Sequence, residues 1–147
     1  MSVNFKIKHL PALTCLGSPT VNSYRRLWDT GFWAPVYADW GYQNRTCSVR
    51  VSAPGRVEYR SVDSSHNPYL MGAGILKAFE DGLDNKMDPG EPEKKNIYDA
   101  MKEGKEVDKL PLTLGEAIQR LESDDVVKSA LPEDMYRVFM HYKKDEW

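Results

Sequence analysis

Arg50, Arg56, Glu58 and Arg60 fall within one short stretch of the chain, with Arg26 and Arg45 upstream of them. Guanidinium groups are planar forks that grip carboxylate and phosphate oxygens two at a time, and they stay charged at any physiological pH. A carboxylate set among them is a candidate ligand for a divalent cation. Arginines around one glutamate therefore fit a site for a polyanion. The same spacing also suits a solvated sheet face, where Arg and Glu pair across strands for about 0.2–1 kcal/mol each. Residue types alone leave both readings open.

Other chemistries lack their residues. The chain carries no Walker loop, no His-x-x-x-His and no Gly-x-Ser-x-Gly. Met71-Gly-Ala-Gly74 lies inside a predicted core helix, where its glycines serve close packing rather than a cofactor. His9, His66 and His141 are scattered and are expected at the surface or in loops. Cys15 and Cys47 have no metal-ligand spacing and read as reduced, partly buried thiols. Asn44-Arg45-Thr46 matches a glycosylation sequon, which has meaning only in a secreted chain.

The elements that must position the arginines follow from periodicity. Three β-like runs come first. Residues 35–40 place Val36, Ala38 and Trp40 on one side. Residues 46–51 set Cys47, Val49 and Val51 against Thr46, Ser48 and Arg50, and residues 56–60 set Val57 and Tyr59 against Arg56, Glu58 and Arg60. A three-residue loop, Ala53-Pro54-Gly55 with Gly55 left-handed, puts Arg50 beside Glu58 and Ser48 beside Arg60; a four-residue loop would mix polar and apolar residues on each face.

Helices come next. Asn67 caps a helix with Pro68 at its first position and Leu70, Ala73, Leu76, Phe79 and Leu83 at helical spacing. The hydrophilic stretch 84–112, broken by Pro89, Gly90 and Pro92, carries at most a short helix over 96–102. Thr113 and Glu116 form a capping box before a helix with Leu114, Ala117, Ile118 and Leu121 inward. Ser123 or Asp124 caps a short helix, and a last one from Pro132 shows Met135, Val138, Phe139 and Tyr142 at helical spacing. The predicted class is α+β: a small antiparallel sheet containing a hairpin, followed by a group of helices.

With 147 residues, 41% of them hydrophobic and 11% aromatic, the chain is long and apolar enough for one packed domain. A net charge of −2 supplies no basic field for nucleic acid, so no such partner is expected. No apolar run approaches the roughly 18 residues of a membrane helix, and the first residues lack the apolar stretch of a signal peptide. A cytoplasmic protein with no membrane partner is the expectation. The last helix runs to Glu146-Trp147 without a stop signal and the start is equally abrupt, so both ends are expected to be truncated.

The order Pro19-Thr-Val-Asn-Ser-Tyr-Arg-Arg-Leu27, Ala34-Pro35, Asn44-Arg-Thr46, Arg50, Arg56-Val-Glu-Tyr-Arg60, Asp63 and Asn67-Pro-Tyr-Leu70 resembles the C-terminal part of the glutamine synthetase catalytic domain. His9-Leu-Pro-Ala-Leu, Gly82-Leu-Asp, Asp88-Pro-Gly-Glu-Pro and Asn96-Ile-Tyr98 extend the match, so that it spans nearly all of residues 1–147. The resemblance implies an ATP-dependent ligase that phosphorylates the γ-carboxylate of glutamate and lets ammonia or an alkylamine displace the phosphate. It implies ATP and Mg²⁺ (or Mn²⁺), and a homo-oligomeric ring in the complete enzyme.

By position, Arg26 and Arg60 resemble the arginines that hold glutamate. Arg45 resembles a catalytic arginine meeting both glutamate and the transferred phosphate. Arg50 and Arg56 resemble ATP-phosphate contacts, and Glu58 resembles a metal ligand. The flap stretch from Arg26 to Pro35 is one residue longer than the family's usual form, with Trp33 where the family carries a glutamate. In this it is similar to the type III and γ-glutamylmethylamide synthetase branch. The family's small N-terminal β-domain and further metal ligands would precede this segment, so an isolated chain is expected to be inactive. A non-catalytic, glutamine-synthetase-like binding or assembly module is the second expectation.

Overall fold

The computed structural model describes residues 6–28 and 34–147. Helix α1 (Lys6–Gly17) lies at the centre, packed against α2 (Pro68–Asp84), α4 (Leu114–Ser123) and α5 (Asp125–Lys128). Leu10, Leu13, Cys15 and Leu16 are all at most 1% exposed, and Pro11 sits within the helix. Sequence periodicity had not marked α1. A helix buried on nearly every side has no polar face to create a period, and its internal proline argues against a helix.

Two apolar cores meet on α1. Leu13 and Leu16 join Tyr24, Met71, Ala78, Leu114, Leu121 and Met140 in the helical half. Leu10 turns to the sheet and packs with Ala38, Trp40, Val49 and Leu110. Beyond α1, the 3-10 helix Val21–Leu27 is capped by Thr20, whose side chain accepts from the Ser23 amide. This short element carries Arg26.

The sheet has the order β1 (Trp40–Tyr42), β2 (Val49–Ala53), β3 (Arg56–Tyr59). Strands β2 and β3 form the expected hairpin, with Arg50 opposite Glu58 and the Arg60 amide donating to the Ser48 carbonyl at 2.8 Å. Gly55 takes φ 77°, the left-handed conformation the tight turn requires. The register shifts between Val51 and Ala53, so a bulge closes the loop.

The α+β class stands and the expected antiparallel pairing holds for the hairpin, while β1 runs parallel to β2 with Trp40 opposite Val49, so the small sheet is mixed. A parallel neighbour so close in sequence requires the chain to reverse twice within 43–48, and Gln43 begins this at φ 51°. The predicted run at 35–40 is mostly not a strand. Residues 36–38 instead pair with 108–110, through a Tyr37–Lys109 bridge and bonds from Ala38 to Asp108 and from Leu110 to Val36, each 2.8 Å.

The caps expected at Asn67, Thr113 and Asp124 are in place, but the Glu116 carboxylate accepts from the Leu112 amide rather than that of Thr113, so the expected capping box is only half formed. Asn67 accepts from the Tyr69 and Leu70 amides at 2.9 and 3.3 Å, and Asn96 caps α3 (Ile97–Lys102). The four inward residues expected on α4 are all buried. The faces of two other helices differ from expectation. Helix α2 buries Met71, Gly74, Ala78 and Gly82, leaving Leu76 and Leu83 69% and 64% exposed. In α6 (Glu133–Glu146), Met140 is buried while Met135, Val138 and Tyr142 are exposed. Close packing explains α2: a Cβ on Gly74 would lie 2.8 Å from Leu16 and 3.0 Å from Leu13, so α1 comes near only because that line is small. Among the described residues no helix is long and apolar enough to cross a membrane.

Candidate active site

Alternation along β2 and β3 divides the hairpin. Val49, Val51, Val57 and Tyr59 face the sheet core, while Arg50, Glu58 and Arg60 share the opposite face. Arg50 donates through Nη1 to Glu58 Oε2 at 3.1 Å, and Arg56 Nη2 lies 3.2 Å from Glu58 Oε1. The hydroxyl of neighbouring Ser52, then Arg50 and Arg56, hold the Glu58 carboxyl below the usual carboxylate range. Burial and the repulsive charges of Arg50 and Arg45 press the Arg60 guanidinium in the opposite sense to Glu58, with a net lowering. Four of the expected site residues thus share one electrostatic field: Arg45, Arg50, Glu58 and Arg60.

Arg45 is exposed, and its neighbours explain how it is presented. The Asn44 amide donates to the Lys95 and Glu93 carbonyls at 2.7 and 3.2 Å, while its oxygen accepts from the Thr46 amide and hydroxyl at 3.0 and 2.7 Å. Thr46 Oγ1 in turn accepts from the Ile97 amide at 3.0 Å. Both outer residues of the Asn-Arg-Thr triplet are spent on locking the loop, and the middle one projects. A cleft of ≈ 320 Å³ opens there, lined by Tyr42, Gln43, Asn44, Arg45, Lys94 and Lys95 among others.

Arg26 is anchored from the 3-10 helix through Nη2, which donates to the Val62 carbonyl at 2.7 Å. That places it near the end of β3, two residues beyond Arg60. Arg56 is the outlier, with 71% of its side chain exposed. Trp33 lies outside the described residues.

Three guanidinium atoms of the expected site residues are buried without a hydrogen-bond partner among the described residues: Arg26 Nε, Arg50 Nε and Arg60 Nη1. A buried N–H left unpaired costs roughly 1–3 kcal/mol, more when charged, so each is a donor that an acceptor from outside the chain could satisfy.

The metal expectation fits less well. Both Glu58 oxygens are engaged by arginines, and no group of three or more His, Cys, Asp or Glu suited to a metal occurs among the described residues. The residues present supply one carboxylate and no metal site of their own.

One histidine departs from expectation. His9 is not at the surface but 1% exposed on α1, with Nδ1 2.7 Å from Asp124 Oδ2 and Nε2 2.9 Å from Asp81 Oδ2. Burial alone would lower its pKa, but the hydrogen bonds and charges of Asp124 and Asp81 outweigh it and the value is raised. It joins α1, α2 and the α5 cap rather than entering the arginine face. His66 and His141 match their expected settings, in the loop before α2 and exposed on α6. Both thiols are free, and they are fully rather than partly buried.

The geometry agrees with what this chain is similar to. Residues 6–147 match the family described as "Glutamine synthetase, catalytic domain". A glutamine synthetase of Pyrococcus abyssi is 47% identical over 96% of this chain and 33% of its own length. One of Thermotoga maritima is 41% identical over 96% of this chain and 34% of its own length. A solved structure titled "GmaS/ADP complex-Conformation 1" superposes with a TM-score of 0.90 at 38% identity, covering 98% of this chain and 34% of that one. A second, "Apo GmaS without ligand", gives 0.88 at 38% identity and covers 98% of this chain and 33% of that one. The chain spans about a third of the length of these relatives. Matched almost end to end by family, relatives and fold, it belongs to the glutamine synthetase catalytic-domain family.

Proposed function

We propose that this chain is part of an ATP-dependent ligase that makes a γ-glutamyl amide from glutamate and ammonia or an alkylamine by way of γ-glutamyl phosphate. The observation that carries this reading is the set of buried, unpartnered guanidinium donors on Arg26, Arg50 and Arg60. The γ-phosphoryl group of ATP passes to the γ-carboxylate, giving ADP and an acyl phosphate. The amine nitrogen then attacks the acyl carbon, phosphate leaves, and the amine loses a proton. Negative charge gathers at both steps, and rigidly held cationic donors stabilise it without reorganising. In this assignment Arg26 and Arg60 hold the carboxylates of glutamate, and Arg45 meets both glutamate and the moving phosphoryl group. Arg50 and Arg56 take the ATP phosphates. A Mg²⁺ or Mn²⁺ at Glu58 would neutralise phosphate charge, with its remaining ligands drawn from outside this chain. For the same reason the isolated chain is assigned negligible turnover, and a ring of complete subunits is the working assembly.

The test uses γ-glutamyl hydroxamate formation, with this segment carried in a subunit of the relatives' length. Arg60→Met should lower kcat/KM for glutamate by about 100-fold or more. The urea midpoint of the variant should change little, because Arg60 is half-buried and its Nη1 has no hydrogen-bond partner to lose among the described residues. Unchanged kinetics, or a midpoint lowered as by a core substitution, would return Arg60 to a structural role.

The finer reading is an alkylamine as acceptor. It is supported by Trp33 at the flap position, since an aromatic offers a cation–π face where a carboxylate would attract ammonium. Competition between methylamine and ammonia should favour methylamine in the wild type, and Trp33→Glu should shift the preference back. Preference for ammonia in both would show that Asp29 or another flap residue holds that position.

A further inference from the structure

Gln43 had no part in the sequence argument, yet both ends of its side chain are in use. Its Oε1 accepts from Arg50 Nη2 at 2.6 Å, and its Nε2 donates to the Ser52 carbonyl. Its backbone amide donates to the Val51 carbonyl at 3.0 Å. It does this at φ 51°, a left-handed conformation that residues with a Cβ seldom adopt and that persists where surrounding contacts enforce it.

Arg50 is thereby held from two sides: Glu58 across the hairpin takes Nη1, and Gln43 from the end of β1 takes Nη2. Its Nε remains buried without a partner. A guanidinium pinned at both terminal nitrogens cannot swing, so the donor left over has a fixed place. Gln43 also lines the cleft beside Arg45. The parallel joint of β1 to β2 is what brings residue 43 back alongside residues 50–52.

We propose that Gln43 is a positioning residue for Arg50, setting the guanidinium in the orientation in which it meets an anionic phosphoryl ligand. The functional half of this statement rests on the ligase reading above; the orientation of Arg50 does not.

Gln43→Gly separates the two, because glycine accepts the left-handed backbone while removing the amide. In the chain itself, hydrogen exchange at Arg50 Nε–H reports the orientation directly. Gln43→Gly should speed Arg50 Nε–H exchange at least five-fold, with the urea midpoint unchanged. Gln43→Glu, which keeps an acceptor for Nη2, should restore slow exchange at Arg50. In a subunit of the relatives' length, Gln43→Gly should raise KM for ATP about ten-fold with little change in kcat. Unchanged Arg50 exchange would overturn the proposal, as would faster exchange with an unchanged KM. A wild-type subunit that makes no hydroxamate would sink the ligase reading alone, and the exchange at Arg50 would then decide the role of Gln43.

Discussion

His9 shows how far a single residue can depart from what its neighbours in sequence suggest. Its ring lies between Asp81 and Asp124, and satisfying both carboxylates requires both nitrogens to donate, hence the imidazolium form. Its raised pKa fixes the sign of the pH dependence. The contribution is complete below the unfolded value near 6.5 and is lost as pH rises through the higher folded value. Other charges face the same group: Lys8 lies 3.8 Å from Asp81, and Arg120 lines the cleft beside Asp124. Urea titrations of wild type and His9→Gln should differ by about 3–5 kcal/mol at pH 5, with the gap narrowing as pH rises. A gap independent of pH would show that the ring is neutral and merely packs.

At the scale of elements, legibility followed the strength of the local pattern. The hairpin register was readable because alternation on both strands and the Pro54-Gly55 turn pointed the same way, and it brought Arg50 to Glu58 as expected. Caps were readable because Asn67, Thr113 and Asp124 each bond amides within a turn of themselves. The inward faces of α2 and α6 were not. Spacing rules count large apolar residues, whereas α2 buries a line that includes two glycines and an alanine. The parallel strand β1 was invisible too, since it depends on a positive φ at a glutamine, a residue type that does not announce one. With it went the contact between Gln43 and Arg50. Among site residues, the shared face of Arg50, Glu58 and Arg60 was legible in the pattern, while the lock around Arg45 needed Lys95 and Ile97, far along the chain. The face of α2 can be checked by substitution. Gly74→Ala should cost about 1–3 kcal/mol through overpacking against Leu13 and Leu16. Leu83→Glu should stay within about 0.5 kcal/mol of wild type, as surface changes do. Reversed magnitudes in chemical denaturation would restore the face expected from spacing.

The whole molecule is tied together by α1. Leu10 serves the sheet core and Leu13 and Leu16 the helical core, so neither half has a complete interior without this helix. The arginine face is therefore as stable as the helix bundle behind it. Urea unfolding followed by fluorescence, in a variant with Trp28, Trp33 and Trp147 replaced by Phe so that Trp40 alone reports the sheet core, should coincide with unfolding followed by helical circular dichroism. Separate transitions would show that the two cores stand apart.

The position of α1 also has a consequence in time. It is made before two of its packing partners, α4 and α5, which begin only at Leu114 and Asp125. Such distant pairings close slowly, and synthesis at about 5–20 residues per second keeps them apart for several seconds. Throughout that interval α2 and the sheet can reach α1, but the side of it that α4 and α5 cover stays bare. The hairpin, whose partners adjoin in sequence, faces no such wait. Nascent chains stopped before residue 114 should expose α1 to protease and to chaperones, and those extended past residue 131 should protect it.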